Sequence, residues 1–416
     1  MKGCLFWCMV HFLSSNQQFL SSKLLLKTKF QKLPSIMLLT NGLSLKNSRL
    51  SKKYEYAFIH HSPPQNPKED NNEFLKQQRE RFDADCPIIA EEVWREKSLA
   101  HKNRVLDILG GKLGLGGKIG YDVNHPIYNF IFEYYHFKPR RLLIDYTPGF
   151  GVVLANAKPK EASLFQKNFI ETVEGIYFCP STLKPGRLKA FQWTCDFLKQ
   201  VAERPPVFFC YGLHEWAMLY QPEGASPVKK HQSLSLRLSQ EELNSVVESR
   251  TLKCTHFDAF RFFTPEARPL NQHNLTRETQ VLMDQPGCVH ATMDLFKWAL
   301  KLLPFCPSEL LGDCLDLALE ARVLDIRASP YDAKAFSDDR FDLSPIHIET
   351  AEGRKLYQEI QQGLWMRSVP LRQRLVSYHE EVLKAAGPIL DSSETCLQNS
   401  SSQKSQQKQS NYEYFR

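Results

Sequence analysis

At 416 residues the chain is long enough for one large domain or two smaller ones, and its net charge of +7 invites a nucleic-acid reading. The placement of that charge removes it from the body of the protein. Residues 1–53 hold nine of the 53 Lys and Arg and no acid, so the rest carries 44 basic against 46 acidic residues, and a general phosphate-binding surface is not implied.

The first segment, residues 1–55, is basic, rich in Ser, Leu and Lys, and free of acid until Glu55. That is the composition of an organelle transit peptide, which places the protein in a plastid, with a mitochondrion or the cytoplasm as the alternatives. Its apolar run Cys4–Leu13 is interrupted by His11 and is too short to span a bilayer. Residues 56–72 read as a polar, disordered linker (HHSPPQNPKEDNNE).

Helices are predicted over Glu73–Arg81 and Glu92–Leu109. The stretch LGGKLGLGGKIG follows, with six glycines from Gly110 to Gly120. It contains neither GKS, GKT nor GxGxxG, so it reads as a flexible loop rather than a nucleotide cradle. Pro126–Phe137 suits a buried helix stopped by Pro139, and GVVLA, ending at Ala155, a short strand. An amphipathic helix covers Arg187–Val201. A buried strand is predicted at Pro206–Tyr211 (PVFFCY), broken by Gly212, and Leu213–Tyr220 restarts as helix. Pro222–His231 is a loop. Helices then cover Arg277–Met283, Val289–Leu303, Ser308–Ile326 and Ala351–Leu383, the last with a break at Pro370. Residues 391–416 form a Ser/Gln-rich, disordered tail. The predicted fold class is mainly α (α+β): one mostly helical globular domain over residues 73–390 with a few short strands.

The densest run of His, Asp, Arg, Glu and Asn in apolar surroundings lies between Cys254 and Asp332. A helix through Val289–Leu303 puts Val289, Met293, Phe296, Leu300 and Leu303 on a core face. His290, Asp294, Lys297 and Lys301 form one narrow polar stripe on a helix that is apolar on its other sides. Such a helix is buried, so His290 and Asp294 must face a polar pocket or other buried polar groups.

His214 and Glu215 stand in the first turn of a helix after a strand and a glycine, where amides are unpaired. His256 and Asp258 flank Phe257 and, if extended, share a face with Phe260 and Phe262. Arg261 and Arg268 add cations to that phenylalanine-rich stretch, and Asn271, Arg277 and Glu278 open the next helix with Thr276 as N-cap. Each pair also has an ordinary reading, as core hydrogen bonds, capping or surface salt links. Asp325, Arg327 and Asp332 are explained by salt bridges at a helix end. The eleven scattered cysteines include no CxxC pair and read as buried reduced thiols. No GxSxG elbow and no recognisable cysteine-nucleophile motif is present.

The strings NHPIYNFIFEYYHFKP, YGLHEWAMLY, CTHFDAFRFFTPEARPLN, LTRETQ, QPGCVHATMDLFKWA and DIRASPYD resemble a family of bacterial, algal and plant proteins commonly labelled 3-methyladenine DNA glycosylase. The resemblance covers roughly residues 90–385 and implies an N-glycosyl hydrolase acting on an alkylated DNA base. In that reading a carboxylate (Glu215, Asp258 or Asp294) activates water. Trp216, Arg261, Arg268, Asn271, Arg277 and Glu278 bind the base or phosphate. The LPGxG-type hairpin and the terminal Cys/His zinc set of known glycosylase classes are both missing. The residues alone support a rival reading almost equally: His214, His256 and His290, with the neighbouring carboxylates, would hold a divalent metal for a reaction on a small molecule, by a hydrolase or an oxygenase. A non-catalytic organelle protein is the third alternative.

Overall fold

The computed structural model describes residues 86–398 except 114–118, 121, 123, 136–139, 163–164, 166–167 and 229–232. The transit-like segment, the linker and the helix expected at Glu73–Arg81 lie outside the described residues, as does most of the tail. The described residues fall in a single compact unit.

They form ten α-helices and two small sheets: α1 Glu91–Ile108, α2 Tyr128–Tyr134, α3 Pro185–Glu203, α4 Leu213–Ala217, α5 Gln240–Glu248, α6 Phe257–Phe260, α7 Gln280–Met283, α8 Val289–Leu302, α9 Ser308–Ala328 and α10 Ala351–Gln398. The expected mainly helical domain with a few short strands is what is found. The longest helices carry the core: α8 and α9 pack along each other, α10 lies on α3, α8 and α9, and α1 covers α9. Fourteen-residue α8 is buried along nearly its whole length, sparing Lys297, Leu300 and Lys301. No helix among the described residues is long and apolar enough to cross a membrane.

The larger sheet has the order β1 (Ile88–Ile89), β4 (Val153–Ala155), β6 (Gly175–Phe178), β5 (Phe169–Glu171). Its outer pair β1–β4 is parallel and the rest antiparallel. Gly175, at φ +154°, begins β6 where a Cβ would fall 1.9 Å from the Leu154 carbonyl oxygen, so only glycine lets these two strands meet.

Four local expectations are corrected. The glycine-rich stretch is not a featureless loop, since β2 (Lys112–Leu113) and β3 (Ile119–Gly120) pair across it as an antiparallel ladder. Residues 206–210 are not a strand; they run without a ladder partner, and an apolar run cannot become a strand without one. Arg277–Thr279 precede rather than begin α7, with Thr276 Oγ1 accepting from the Thr279 amide instead of capping the helix itself. No break occurs at Pro370, and α10 runs on past Asp391. Proline forfeits one backbone bond, and packing of α10 against three other helices outweighs that loss. One helix was missed altogether. α5 opens with a complete capping box, Ser239 Oγ accepting from Glu242 N and Glu242 Oε2 from Ser239 N.

The entry to α10 is held by a bidentate pair. Arg237 donates to Glu349 Oε1 at 2.6 Å and Oε2 at 3.1 Å while its guanidinium covers the Trp216 ring. Burial alone would raise the Glu349 pKa, but the Arg237 hydrogen bonds bring it down to about 2. A carboxylate depressed on folding stabilises above its unfolded pKa and loses that contribution as pH falls through the folded value. Glu349→Gln should therefore remove about 1–2 kcal/mol at pH 7, after allowing for partial exposure, and nearly nothing near pH 2. Denaturant titrations of both proteins between pH 7 and pH 2.5 read this out. A stability gap that is flat with pH would refute it.

Candidate active site

Three short elements and two long helices bring the ionisable residues together. α8 supplies His290 and Asp294 one turn apart on its inner stripe, as its periodicity requires. α4 supplies His214 and Glu215. α9 supplies Arg322 and Asp325, three apart and fully buried. His256 is the residue before α6 and Asp258 lies in that helix's first turn, so the pair is not extended as the alternation suggested. Asp284 closes α7.

The histidines form a row. The His290 ring lies 4.5 Å from that of His214, edge to face, and 5.2 Å from that of His256, stacked. His214 Nε2 donates to Asp325 Oδ1 at 2.6 Å, and its Nδ1 is 3.2 Å from Cys210 Sγ. Arg322 Nη1 bridges Asp325 Oδ2 and Glu215 Oε1, both at 2.6 Å, with its guanidinium over Phe130. At the other end His256 Nδ1 is 3.2 Å from Asp284 Oδ1, close enough for an ion pair but not aligned as a hydrogen bond, and its Nε2 is 3.8 Å from Asp294 Oδ2. Lys297 donates to Asp294 and lies 3.6 Å from Asp258 Oδ2.

This arrangement splits the protonation states. Burial works against a charged ring at all three histidines. Asp325 overcomes it at His214, whose pKa is held well above the ordinary value, and Asp284 with Asp294 overcomes it at His256. His290 is pushed well below, first by burial and then by the cationic His214 beside it. Burial also raises Glu215 and Asp294 against the pull of Arg322 and Lys297. Asp258, despite its burial, is held below the ordinary carboxylate range by Lys297, His256, Arg277 and Arg261. An imidazole whose pKa is pushed down thus sits between two whose pKa values are raised.

A narrow cleft opens on the His214 end, lined by Cys210, His214, Cys254, Cys288, His290 and Gln361 among others. Several buried polar atoms at or near the row have no hydrogen-bond partner among the described residues, including His290 Nδ1, Asp294 Oδ1 and Gln361 Oε1. Two groups offer ligand atoms within 4.8 Å of one another, His214 with His290 and Asp325, and His256 with Asp258 and Asp294. Either set has the nitrogen-and-carboxylate composition that a divalent ion takes.

The residues expected to bind substrate are dispersed. Arg261 and Arg277 are exposed but converge on Asp258, at 3.7 and 3.0 Å, and Arg268 donates to the Arg261 carbonyl. Glu278 is fully exposed and accepts from its own amide and Thr276. Asn271 is a buried clip, accepting from Cys254 N and donating to the Cys254 and His273 carbonyls. Trp216 is wholly buried and does not line the cleft, its Nε1 donating to the Ala328 carbonyl.

The sequence reading missed the partners that complete the row. From sequence Asp325 reads as a helix-end salt bridge, and nothing there distinguishes Arg322, Asp284 or Cys210. Only the apolar residues next to Asp325 (Val323, Leu324 and Ile326) could have signalled its burial. No protein-family profile, curated protein or solved structure matches this chain.

Proposed function

We propose that this chain is a hydrolase centred on the His214–His290–His256 row. The observation that carries the reading is His290, a buried imidazole with an unpartnered Nδ1 that lines the cleft, its pKa pushed down by burial while carboxylates push up those of the histidines on either side. Groups of one type whose environments drive their pKa values apart divide acid and base roles between them. His290 takes the proton of an attacking water, and His214, charged through Asp325, returns one to the leaving group.

The sequence resemblance names the bond as the N-glycosyl link of an alkylated base. The exposed guanidinium groups of Arg261, Arg268 and Arg277 favour an anionic or phosphate-bearing substrate on the Asp258 side. The test is release of free methylated adenine from alkylated DNA and from the corresponding free nucleoside. His290→Ala should cut the rate by about 10²–10⁴. Methylated DNA left intact by folded protein, metal-supplemented or not, would remove the glycosylase assignment.

The two three-residue ligand groups favour a second reading, a metal-assisted hydrolysis in which His214, His290 and Asp325 hold a divalent ion. Metal analysis of the purified protein separates the two. A chelator abolishes the metal-assisted reaction and leaves the acid–base one unchanged.

A further inference from the structure

Cys210, whose sulfur contacts an imidazole, sits at an unusual turn. Cys210 precedes Tyr211 at φ +51° and Gly212 at φ +75°, two successive left-handed residues, and the Leu213 amide closes the turn on the Cys210 carbonyl at 2.9 Å. A non-glycine residue in that region is strained, and such strain persists where surrounding structure holds it. Packing holds it here: a Cβ at Gly212 would lie 2.9 Å from the Ala328 Cβ. The turn brings Cys210 Sγ to 3.2 Å from His214 Nδ1, while the opposite ring nitrogen donates to Asp325 at 2.6 Å.

We infer that Cys210, His214 and Asp325 form a nucleophilic thiol–imidazole–carboxylate set facing the cleft, and that its substrate is a small amide or ester. The geometry meets the requirement of a thiol in reach of a base that is itself oriented by a third group. Asp325 fixes the ring with Nδ1 toward the sulfur. Cys210 is only partly buried, whereas Cys254 is buried and its sulfur contacts the His256 carbonyl at 3.6 Å instead. A second feature points to a ligand in the same cleft. Gln361, 2 % exposed, lines it with an unpartnered Oε1, and its Nε2 is fixed by the Gly287 carbonyl. That oxygen can accept from the N–H of an amide.

Within the Cys210–His214 pair the shared proton rests on His214 Nδ1, and sulfur attacks the acyl carbon. The C–S bond forms, the bond to the leaving nitrogen or oxygen breaks, and His214 returns the proton to that atom. Water then attacks the thioester, the C–O bond forms, the C–S bond breaks, and His290 takes the water proton and passes it to the Cys210–His214 pair, which restores the starting state. This second step rests on the hydrolase reading given above. The first does not, and a thiol attacking an acyl carbon points to an acyl bond rather than a glycosyl bond.

The full chain, treated with limiting iodoacetamide and read by peptide mass spectrometry, should carry its first adduct on Cys210. That adduct should form at least tenfold faster than the one on Cys86, which is similarly half-buried. His214→Gln should bring Cys210 to the rate of Cys86. Should that variant fail to fold, the comparison within the native protein still decides. With p-nitrophenyl acetate, an acetyl group should appear on Cys210, and His290→Ala should lengthen its lifetime. Equal labelling of Cys210 and Cys86 with no acetyl adduct would overturn the nucleophile. An adduct whose lifetime ignores His290 would leave the nucleophile standing and refute His290 as the base.

Discussion

Replacing Arg322 with Met should cost about 3–5 kcal/mol of folding stability, because it leaves two carboxylates buried without their shared cation. Arg322 is 1 % exposed, and one of its nitrogens bridges Glu215 and Asp325, on α4 and on its own helix. Methionine keeps much of the volume, so the loss reports charge more than packing. Without the guanidinium Glu215, already raised by burial, takes up a proton, and Asp325 keeps only His214. Pairing Arg322→Met with Glu215→Gln should then recover part of the loss, since the second change removes a carboxylate that has no partner. Denaturant midpoints of the two single variants and the double variant measure both quantities. A single-variant loss under about 1 kcal/mol would mean that the bridge is not formed in solution.

Trp216→Ala should cost a similar amount, about 3–5 kcal/mol, through a cavity at the centre of the domain. The ring is wholly buried, Arg237 stacks on it, and its Nε1 donates to the carbonyl of Ala328, the last residue of α9. Trp216→Phe retains most of the apolar area but strands that carbonyl, and should cost about 1–3 kcal/mol. The ranking of the two variants by thermal or chemical unfolding tests the assignment. If Trp216 instead stacked on a substrate, both changes would spare stability and weaken binding.

These two residues also show how far the sequence could be read. Trp216 is expected from sequence to bind the base, because an aromatic residue next to His214 and Glu215 looks alike from sequence whether it faces a cleft or the core. Arg322 was not picked out at all. Its immediate neighbours in α9, Ala321 and Val323, are apolar, yet an Arg on a long helix gives no sign of which carboxylate it meets. The stripe on α8 was legible for a local reason. His290, Asp294 and Lys297 repeat at helical spacing within an otherwise apolar segment, and periodicity alone tells which side chains share a face. Failures of local reading had local causes too. His256 and Asp258 alternate like a strand but begin a single helical turn, and four residues carry too little periodicity to tell the two apart.

The sequence by itself determined the mainly helical class, the position of the long helices and the burial of a polar stripe on α8. Each follows from repeats within one element, where the backbone period decides which side chains point inward. Tertiary structure alone decided which groups meet. His214 finds Asp325 across 111 residues, Arg204 reaches the Asp284 carbonyl across 80, and Gln361 reaches the Gly287 carbonyl across 74. It also decided the charge on each histidine, since an imidazole's pKa depends on how deeply it is buried and which charges lie within a few ångströms of it. His214, His256 and His290 are the same side chain. Burial and the carboxylates and cations that the fold sets beside them push the pKa of two of them up and that of the third down.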